Sequence, residues 1–119
     1  DTVITCSKCD YSANLEKAKG VKPNVTIEEP LAVEEISTPN ITSINSLAKL
    51  FGISESGTLK TVFYMDGDQL LMVTIRGDLD LNETKLRNYV NGRELRLAAK
   101  KEILACGLIP GFASPVGIY

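Results

Sequence analysis

The sequence predicts an α+β fold, in which a mixed β-sheet built around one β-hairpin carries flanking helices. Two β-rich runs, 60–65 and 69–76, are separated by the glycine-containing turn 66–68. Such a pair of runs joined by a short loop is the usual indication of a hairpin. Helical periodicity and capping residues mark three further segments, near 43–52, 82–91 and 98–106.

Composition limits the class of protein. A chain of 119 residues with 44% hydrophobic residues forms one domain at most, or part of one, with a modest core. A net charge of −2 means that any basic surface for nucleic acid is local or lies on another domain. No apolar run reaches the roughly 18 residues that a membrane span needs, and no secretory signal is evident. Three cysteines, two of them in a CxxC motif, do not make a disulfide framework, so we expect a protein of the reducing cytoplasm with no membrane contact.

The chain has no histidine. Histidine is the most common general base and the most common metal ligand, so its absence excludes a Ser–His or Cys–His nucleophile within these residues. Hydrolysis here would depend on a lysine, a carboxylate, the backbone or the substrate itself.

The first nineteen residues contain a short predicted strand at 3–5 and a CxxC motif at Cys6 and Cys9. This spacing is that of half a zinc knuckle, but a structural zinc site normally takes four ligands. Cys106 is the one other thiol, so we expect no metal here. A redox pair is less favoured because no helix begins at the first cysteine.

Residues 20–40 are predicted to be an extended connector. Proline recurs in this segment, which prevents a long helix, and four glutamates make it acidic. The simplest interpretation is a solvated surface, and a docking strip for a basic partner is less favoured.

The helix near 43–52 is predicted from one apolar stripe with a spacing of three and four residues. Thr42 or Ser43 can cap its start, because a hydroxyl accepts a hydrogen bond from an otherwise unpaired amide. Gly52 supplies a left-handed stop.

For the helix near 82–91, Asn82 is the predicted cap, and the predicted buried side is formed by Leu86, Tyr89 and Val90. Residues 94–97 alternate like a short strand and precede the last helix, near 98–106. The apolar tail is predicted to be a constrained loop leading into a strand at 116–119. We expect the natural protein to continue past Tyr119, because a strand that ends there would leave its edges unpaired.

Three features are candidates for a functional site. Lys60 opens the first hairpin strand, Gly77 and Asp78 close the second, and residues 111–115 form a GxxxP loop. Such a loop exposes backbone N–H groups that can hold a carbonyl oxygen, and a nearby lysine can bind a phosphate or carboxylate. Each feature alone is more often an ordinary strand end or a tight turn.

Taken together, the order of these motifs resembles a known family. The sequence runs from CSKCDYSANLEKA through an acidic connector to TLKTVFYMDGDQLLMVTIRGDLDLNETKL and then GFASPVG. This order resembles bacterial-type prolyl-tRNA synthetases. Residues 1–19 are similar to the end of the synthetase catalytic segment, residues 20–40 to the connector, and residues 41–119 to the first part of the editing insertion, a domain shared with free-standing deacylases of the YbaK type.

The resemblance implies an editing function, the hydrolysis of alanine wrongly attached to tRNA(Pro). The family's key lysine falls on Lys60, which would engage the terminal nucleotide of the tRNA. Its GxxxP loop falls on Gly111, Phe112, Ala113, Ser114 and Pro115, whose backbone would hold the aminoacyl carbonyl. Gly77 and Asp78 match the family's RGDxxLNxxKL signature, which we interpret mainly as structural.

The resemblance further implies partners and cofactors. The partners would be alanine-charged tRNA(Pro) and the rest of a synthetase chain, itself a homodimer. No cofactor is expected in these residues, whereas ATP and magnesium would serve the ligase reaction of the parent enzyme. Two alternatives stay open: a non-catalytic tRNA- or protein-binding module of the same fold, and a small metal-binding protein built on the CxxC motif.

Overall fold

A computed structural model describes residues 2–24, 26–92 and 94–118. Backbone contacts divide the chain into two compact units, Asp1–Ser37 and Thr38–Tyr119. Among the described residues no helix is long and apolar enough to cross a membrane. Each unit is described in turn.

The first unit contains a small antiparallel hairpin. Strand β1 (Val3–Thr5) pairs with β2 (Ser12–Asn14). The loop between them holds the CxxC motif and is closed by a hydrogen bond of 2.9 Å from Cys6 N to Tyr11 O. The described residues between β2 and residue 44 contain no helix or strand.

The Cys6 thiol is exposed, and the N–H of Lys8 donates to its Sγ at 3.4 Å. This hydrogen bond, with others from the side chain and backbone of Cys9, lowers the pKa of the Cys6 thiol. The loop is therefore arranged to stabilise a thiolate at its first cysteine.

The second unit is built on a three-stranded sheet with the order β4–β3–β5. Its strands are β3 (Leu59–Asp66), β4 (Gln69–Arg76) and β5 (Leu95–Leu97). Strand β3 lies in the centre and pairs antiparallel with both neighbours. Together with three helices, this sheet confirms the predicted α+β class.

The connection between β3 and β4 is a two-residue turn. Asp66 pairs with Gln69, so Gly67 and Asp68 alone form the loop. Gly67 has a φ of +60°, the conformation that type II′ hairpins require at their first turn position and that glycine adopts without steric cost. This geometry fixes the register along the whole hairpin.

Three helices flank the sheet, each within one residue or two of its predicted span. They are α1 (Ile44–Phe51), α2 (Glu83–Val90) and α3 (Lys100–Ala105). Ser43 caps α1 through its hydroxyl, and Gly52 ends it in the left-handed conformation, as predicted. Asn82 caps α2, also as predicted.

The core lies on both sides of β3. Its buried apolar residues are Ala48, Phe63, Tyr64, Met65, Leu95 and Ile103. Because successive side chains of a strand point to opposite faces, Phe63 and Met65 fill one side of the sheet and Tyr64 the other. The Tyr64 hydroxyl donates to Glu83 Oε1 at 2.9 Å, which ties α2 to the central strand.

Two predictions about burial and the tail were wrong. Tyr89 was expected on the buried side of α2 but is 87% exposed. Residues 116–118 do not form a strand, because Gly117 has a φ of +80°, which extended strands do not accommodate. Tyr119 lies outside the described residues.

Candidate functional site

One cavity lies between the start of β3, the start of α1 and the loop that follows α3. Its volume is about 460 Å³. The lining residues are Thr38, Ile41, Thr42, Ser43, Ile44, Leu47, Leu59, Lys60, Thr61, Val62, Phe63, Gly111, Phe112, Ala113 and Ser114. The walls are therefore largely apolar with several hydroxyl groups, and among these described residues Lys60 alone carries a charge.

Lys60 reaches this cavity because it stands at the start of a strand held by a long antiparallel pairing. It pairs with Ile75 of β4, and its side chain is 28% exposed. Its Nζ donates to Asp80 Oδ1 at 3.1 Å. Asp80 is fully exposed, so this ion pair is solvent-screened and leaves Lys60 available to a ligand anion at little cost.

The loop 111–115 lies on the same cavity through four of its five residues. Gly111 opens the loop with a φ of +86°, a conformation that favours glycine. The Phe112 N–H donates to Ile109 O at 3.1 Å. Within the described part of the chain, the N–H groups of Ala113 and Ser114 have no hydrogen-bond partner, so they are the donors that a ligand carbonyl can use.

Gly77 and Asp78 are placed elsewhere, and they do not line the cavity. Gly77 is buried, and its N–H donates to Thr58 O at 2.8 Å. Asp78 accepts two hydrogen bonds from Arg76, at 2.5 Å and 2.9 Å, and this hydrogen bonding lowers the pKa of the Asp78 carboxyl. Both residues lie in the turn that follows β4.

Pro115 also lies outside the cavity lining. Its ring follows Ser114, whose hydroxyl accepts a hydrogen bond from Val116 N at 3.2 Å. Pro115 is therefore the one residue of the GxxxP loop that is not part of the cavity wall.

The sequence did not indicate Asp80 as the partner of Lys60, nor the wall formed by Thr38, Ile41 and Thr42. Asp80 lies twenty residues from Lys60, and such contacts between distant residues leave no local pattern in a sequence. Residues 38–40 had been assigned to the connector, because the prolines of this segment predicted extended chain, whereas residues 41 and 42 were placed at the start of the helical segment with no role in a site.

The geometry defines a class of domain: a small α+β domain whose cavity offers one cation and two unpaired backbone amides. Such a cavity suits a ligand that has both an anionic group and a carbonyl group. None of the described residues forms a cluster of three or more side chains able to hold a metal ion.

Comparison with known proteins identifies the family. A family model described as an aminoacyl-tRNA editing domain matches residues 38–119, which is the whole second unit. The chain belongs to this family. It is also similar to proteins named proline–tRNA ligase: 45% identical over 118 residues to the one from Dehalococcoides mccartyi, 43% over 126 residues to the one from Brachyspira hyodysenteriae, and 37% over 117 residues to the one from Sulfurihydrogenibium.

These matches cover 98–99% of the chain but 21% of each relative. The chain thus spans about a fifth of the length of the curated relatives it matches. The resemblance to the editing domain of prolyl-tRNA synthetases is confirmed. The assignments of residues 1–19 and 20–40 to the catalytic segment and the connector stay predictions.

Proposed function

We propose that this domain hydrolyses alanine from mischarged tRNA(Pro), as the editing part of an enzyme that ligates proline to this tRNA. Support comes from one observation above all: Lys60 and the loop 111–115 line one cavity. The family match and the names of the relatives supply the substrate class.

In the proposed reaction, Lys60 binds a phosphate of the terminal nucleotide as a point charge. The N–H groups of Ala113 and Ser114 hold the carbonyl oxygen of the aminoacyl ester and stabilise its negative charge as a tetrahedral intermediate forms. Water, oriented by a ribose hydroxyl of the tRNA, attacks the carbonyl carbon. The ester C–O bond then breaks, and the proton given up by the attacking water passes to the departing ribose oxygen, so that free alanine and an uncharged tRNA are released.

None of the steps assigned to the residues of this chain depends on a histidine, which the chain lacks. A second site is needed for a physical reason. A pocket shaped for proline cannot exclude a smaller side chain by more than about 1–3 kcal/mol, so alanine is attached at an appreciable rate and must be removed afterwards. We expect the enzyme to act in the cytoplasm, with tRNA(Pro) and the rest of the synthetase chain as partners.

The test is a deacylation assay with Ala-tRNA(Pro) and the full-length enzyme. Lys60→Ala removes a charge-assisted contact worth about 1.5–3 kcal/mol, so kcat/KM should fall by about 10- to 150-fold. Lys49→Ala is the matched control, because Lys49 is an exposed lysine of α1 that does not line the cavity.

Proline attachment to tRNA should be the same in both variants, which shows that the enzyme is folded. Unchanged deacylation in Lys60→Ala would remove Lys60 from the mechanism. Tight binding of the charged tRNA without any hydrolysis by the unaltered enzyme would favour the non-catalytic module instead.

A further inference from the structure

The central strand β3 has an open edge in the first half of its length, where it lines the cavity. Strand β5 pairs with it at residues 64–66, and the chain after β5 adds one hydrogen bond of 2.9 Å, from Ala98 N to Phe63 O. Within the described part of the chain, no backbone pairs with this edge at residues 59–61. An unpaired strand edge offers its N–H and C=O groups as hydrogen-bond partners.

The strand register decides which residues direct their backbone groups to this edge. The two residues that flank the turn between β3 and β4 form a hydrogen-bonded pair, and such pairs alternate with non-hydrogen-bonded pairs along an antiparallel ladder. Every second residue from the turn back to Lys60 therefore bonds to β4. The hydrogen bond of 2.8 Å from Gly77 N to Thr58 O continues this alternation. The intervening residues, at 59, 61 and 63, direct their backbone groups to the open edge.

Thr61 is the residue of this edge whose carbonyl is both unpaired and inside the cavity. Its N–H and C=O have no hydrogen-bond partner among the described residues, and the residue is half-buried in the cavity wall. Leu59 is 59% exposed, so water can solvate its carbonyl, and the Phe63 carbonyl already accepts from Ala98. The Thr61 carbonyl is therefore the one best placed to accept a hydrogen bond from a ligand.

An aminoacyl ester brings a donor that suits this carbonyl. In the proposed reaction Lys60 binds a phosphate and the loop 111–115 holds the ester carbonyl, which leaves the α-amino group of the amino acid. The described lining of the cavity contains no carboxylate, so its acceptors are hydroxyl and backbone oxygens. An amine donates whether or not it is protonated, and the Thr61 carbonyl is held in direction by a strand paired over eight residues.

We propose that the backbone carbonyl of Thr61 accepts a hydrogen bond from the α-amino group of the aminoacyl ester. This inference rests on the proposed deacylase function and adds to it a preference for acyl groups that carry an amine. The ester is then held at two points, with its amine on β3 and its carbonyl on the loop. Two fixed points determine which face of the carbonyl carbon meets the attacking water.

The first test compares three esters of tRNA(Pro), alanyl, lactyl and propionyl, with the full-length enzyme. Their α-carbons carry an amine, a hydroxyl or hydrogen alone. Each rate is divided by the rate of the same ester in buffer, because the amine itself activates an ester. Without a donor, the propionyl ester should be accelerated less than the alanyl ester by about tenfold or more. The lactyl ester should lie between them, since its hydroxyl is a neutral donor.

The second test alters the acceptor. Replacement of Val62 by its α-hydroxy acid turns the peptide bond after Thr61 into an ester, whose carbonyl is a weaker acceptor. Replacement of Tyr64 in the same way is the matched control, because both changes remove one N–H that bonds to β4, but the control weakens Phe63 O, which accepts from Ala98 N. The change at Val62 should narrow the difference between the alanyl and propionyl esters by about threefold or more. Proline attachment shows that both proteins are folded.

Two results would overturn this inference alone: equal acceleration of the alanyl and propionyl esters, or an equal narrowing of their difference in the Tyr64 control. Failure of the unaltered enzyme to hydrolyse the alanyl ester is a different result. It would overturn the proposed function, and the role of Thr61 would fall with it.

Discussion

Substitution of Gly77 by alanine should separate a structural role of this residue from a role in binding substrate. A Cβ added at Gly77 would overlap the hydroxyl of Thr58, lie 2.6 Å from Glu55 O and lie 2.9 Å from Cγ2 of Ile44. Real Cβ atoms do not approach other atoms so closely. The Thr58 hydroxyl cannot turn away freely, because it donates to Glu55 O at 2.7 Å.

The cost can be estimated from these contacts. Overpacking of a well-packed site costs typically about 1–3 kcal/mol, and the upper end applies where a backbone atom must move. Gly77 meets one backbone oxygen and two side chains, so we expect a loss of about 3 kcal/mol in the free energy of unfolding. For a unit of this size, such a loss lowers Tm by roughly 12–24 °C.

Gly67→Ala is the control. A Cβ at Gly67 meets nothing within 4 Å, but the φ of +60° is unfavourable for alanine, so the expected cost is about 1–2 kcal/mol. Denaturant unfolding followed by circular dichroism measures both variants. On a Thr58→Ala background the cost of Gly77→Ala should fall by at least about 0.5 kcal/mol, because one of the overlapping atoms is gone.

A Gly77→Ala protein no less stable than Gly67→Ala would refute the reasoning from packing. A protein of normal stability that no longer deacylates Ala-tRNA(Pro) would place Gly77 in contact with the substrate. Because Ile44 contributes both to this contact and to the cavity wall, we expect lost stability and a reduced rate to occur together.

Two further predictions concern a buried hydroxyl and an exposed ion pair. Burial and the hydrogen bond to Glu83 raise the pKa of Tyr64 from 10 to about 12. The free energy of unfolding that this hydroxyl contributes is therefore fully present below pH 10 and should fall by about 2–3 kcal/mol as the pH rises toward 12. Unfolding titrations of Tyr64→Phe should show a flatter fall, and an equally steep fall would assign it to another group. Asp80→Asn should lower KM for charged tRNA by up to about fivefold at low salt. The substitution removes the carboxylate that competes with the tRNA for the amine of Lys60, in an ion pair worth about 0.2–1 kcal/mol. A higher KM would mean that Asp80 orients the amine productively.

The elements that local residues determine were predicted well from the sequence. The turn at Gly67 and the caps Ser43, Gly52 and Asn82 all depend on interactions within a few residues, so each leaves a pattern in the sequence. Strand β2 was missed because its residues, Ser12–Asn14, have a low strand preference.

The candidate site could be predicted only as separate pieces. Lys60 and the loop 111–115 are some fifty residues apart, and no periodicity connects them. The resemblance to a family suggested that they act together, and the cavity brings them together in space. The sequence could not show that the Phe112 N–H donates to Ile109 O and is not available to a ligand, because this hydrogen bond depends on the φ and ψ angles of the loop.

Lys60 and the loop 111–115 are held in the cavity by different amounts of backbone pairing, which bears on how the site would distinguish one amino acid from another. Lys60 is fixed by a strand paired over eight residues, whereas Ala113 and Ser114 belong to a loop without paired backbone on either of these residues. Under the proposed function, the fixed backbone of Lys60 presents its amine to the end that every tRNA shares. We expect discrimination between amino acids to come from the shape of the apolar wall beside the loop, where one methylene group is worth about 1–3 kcal/mol.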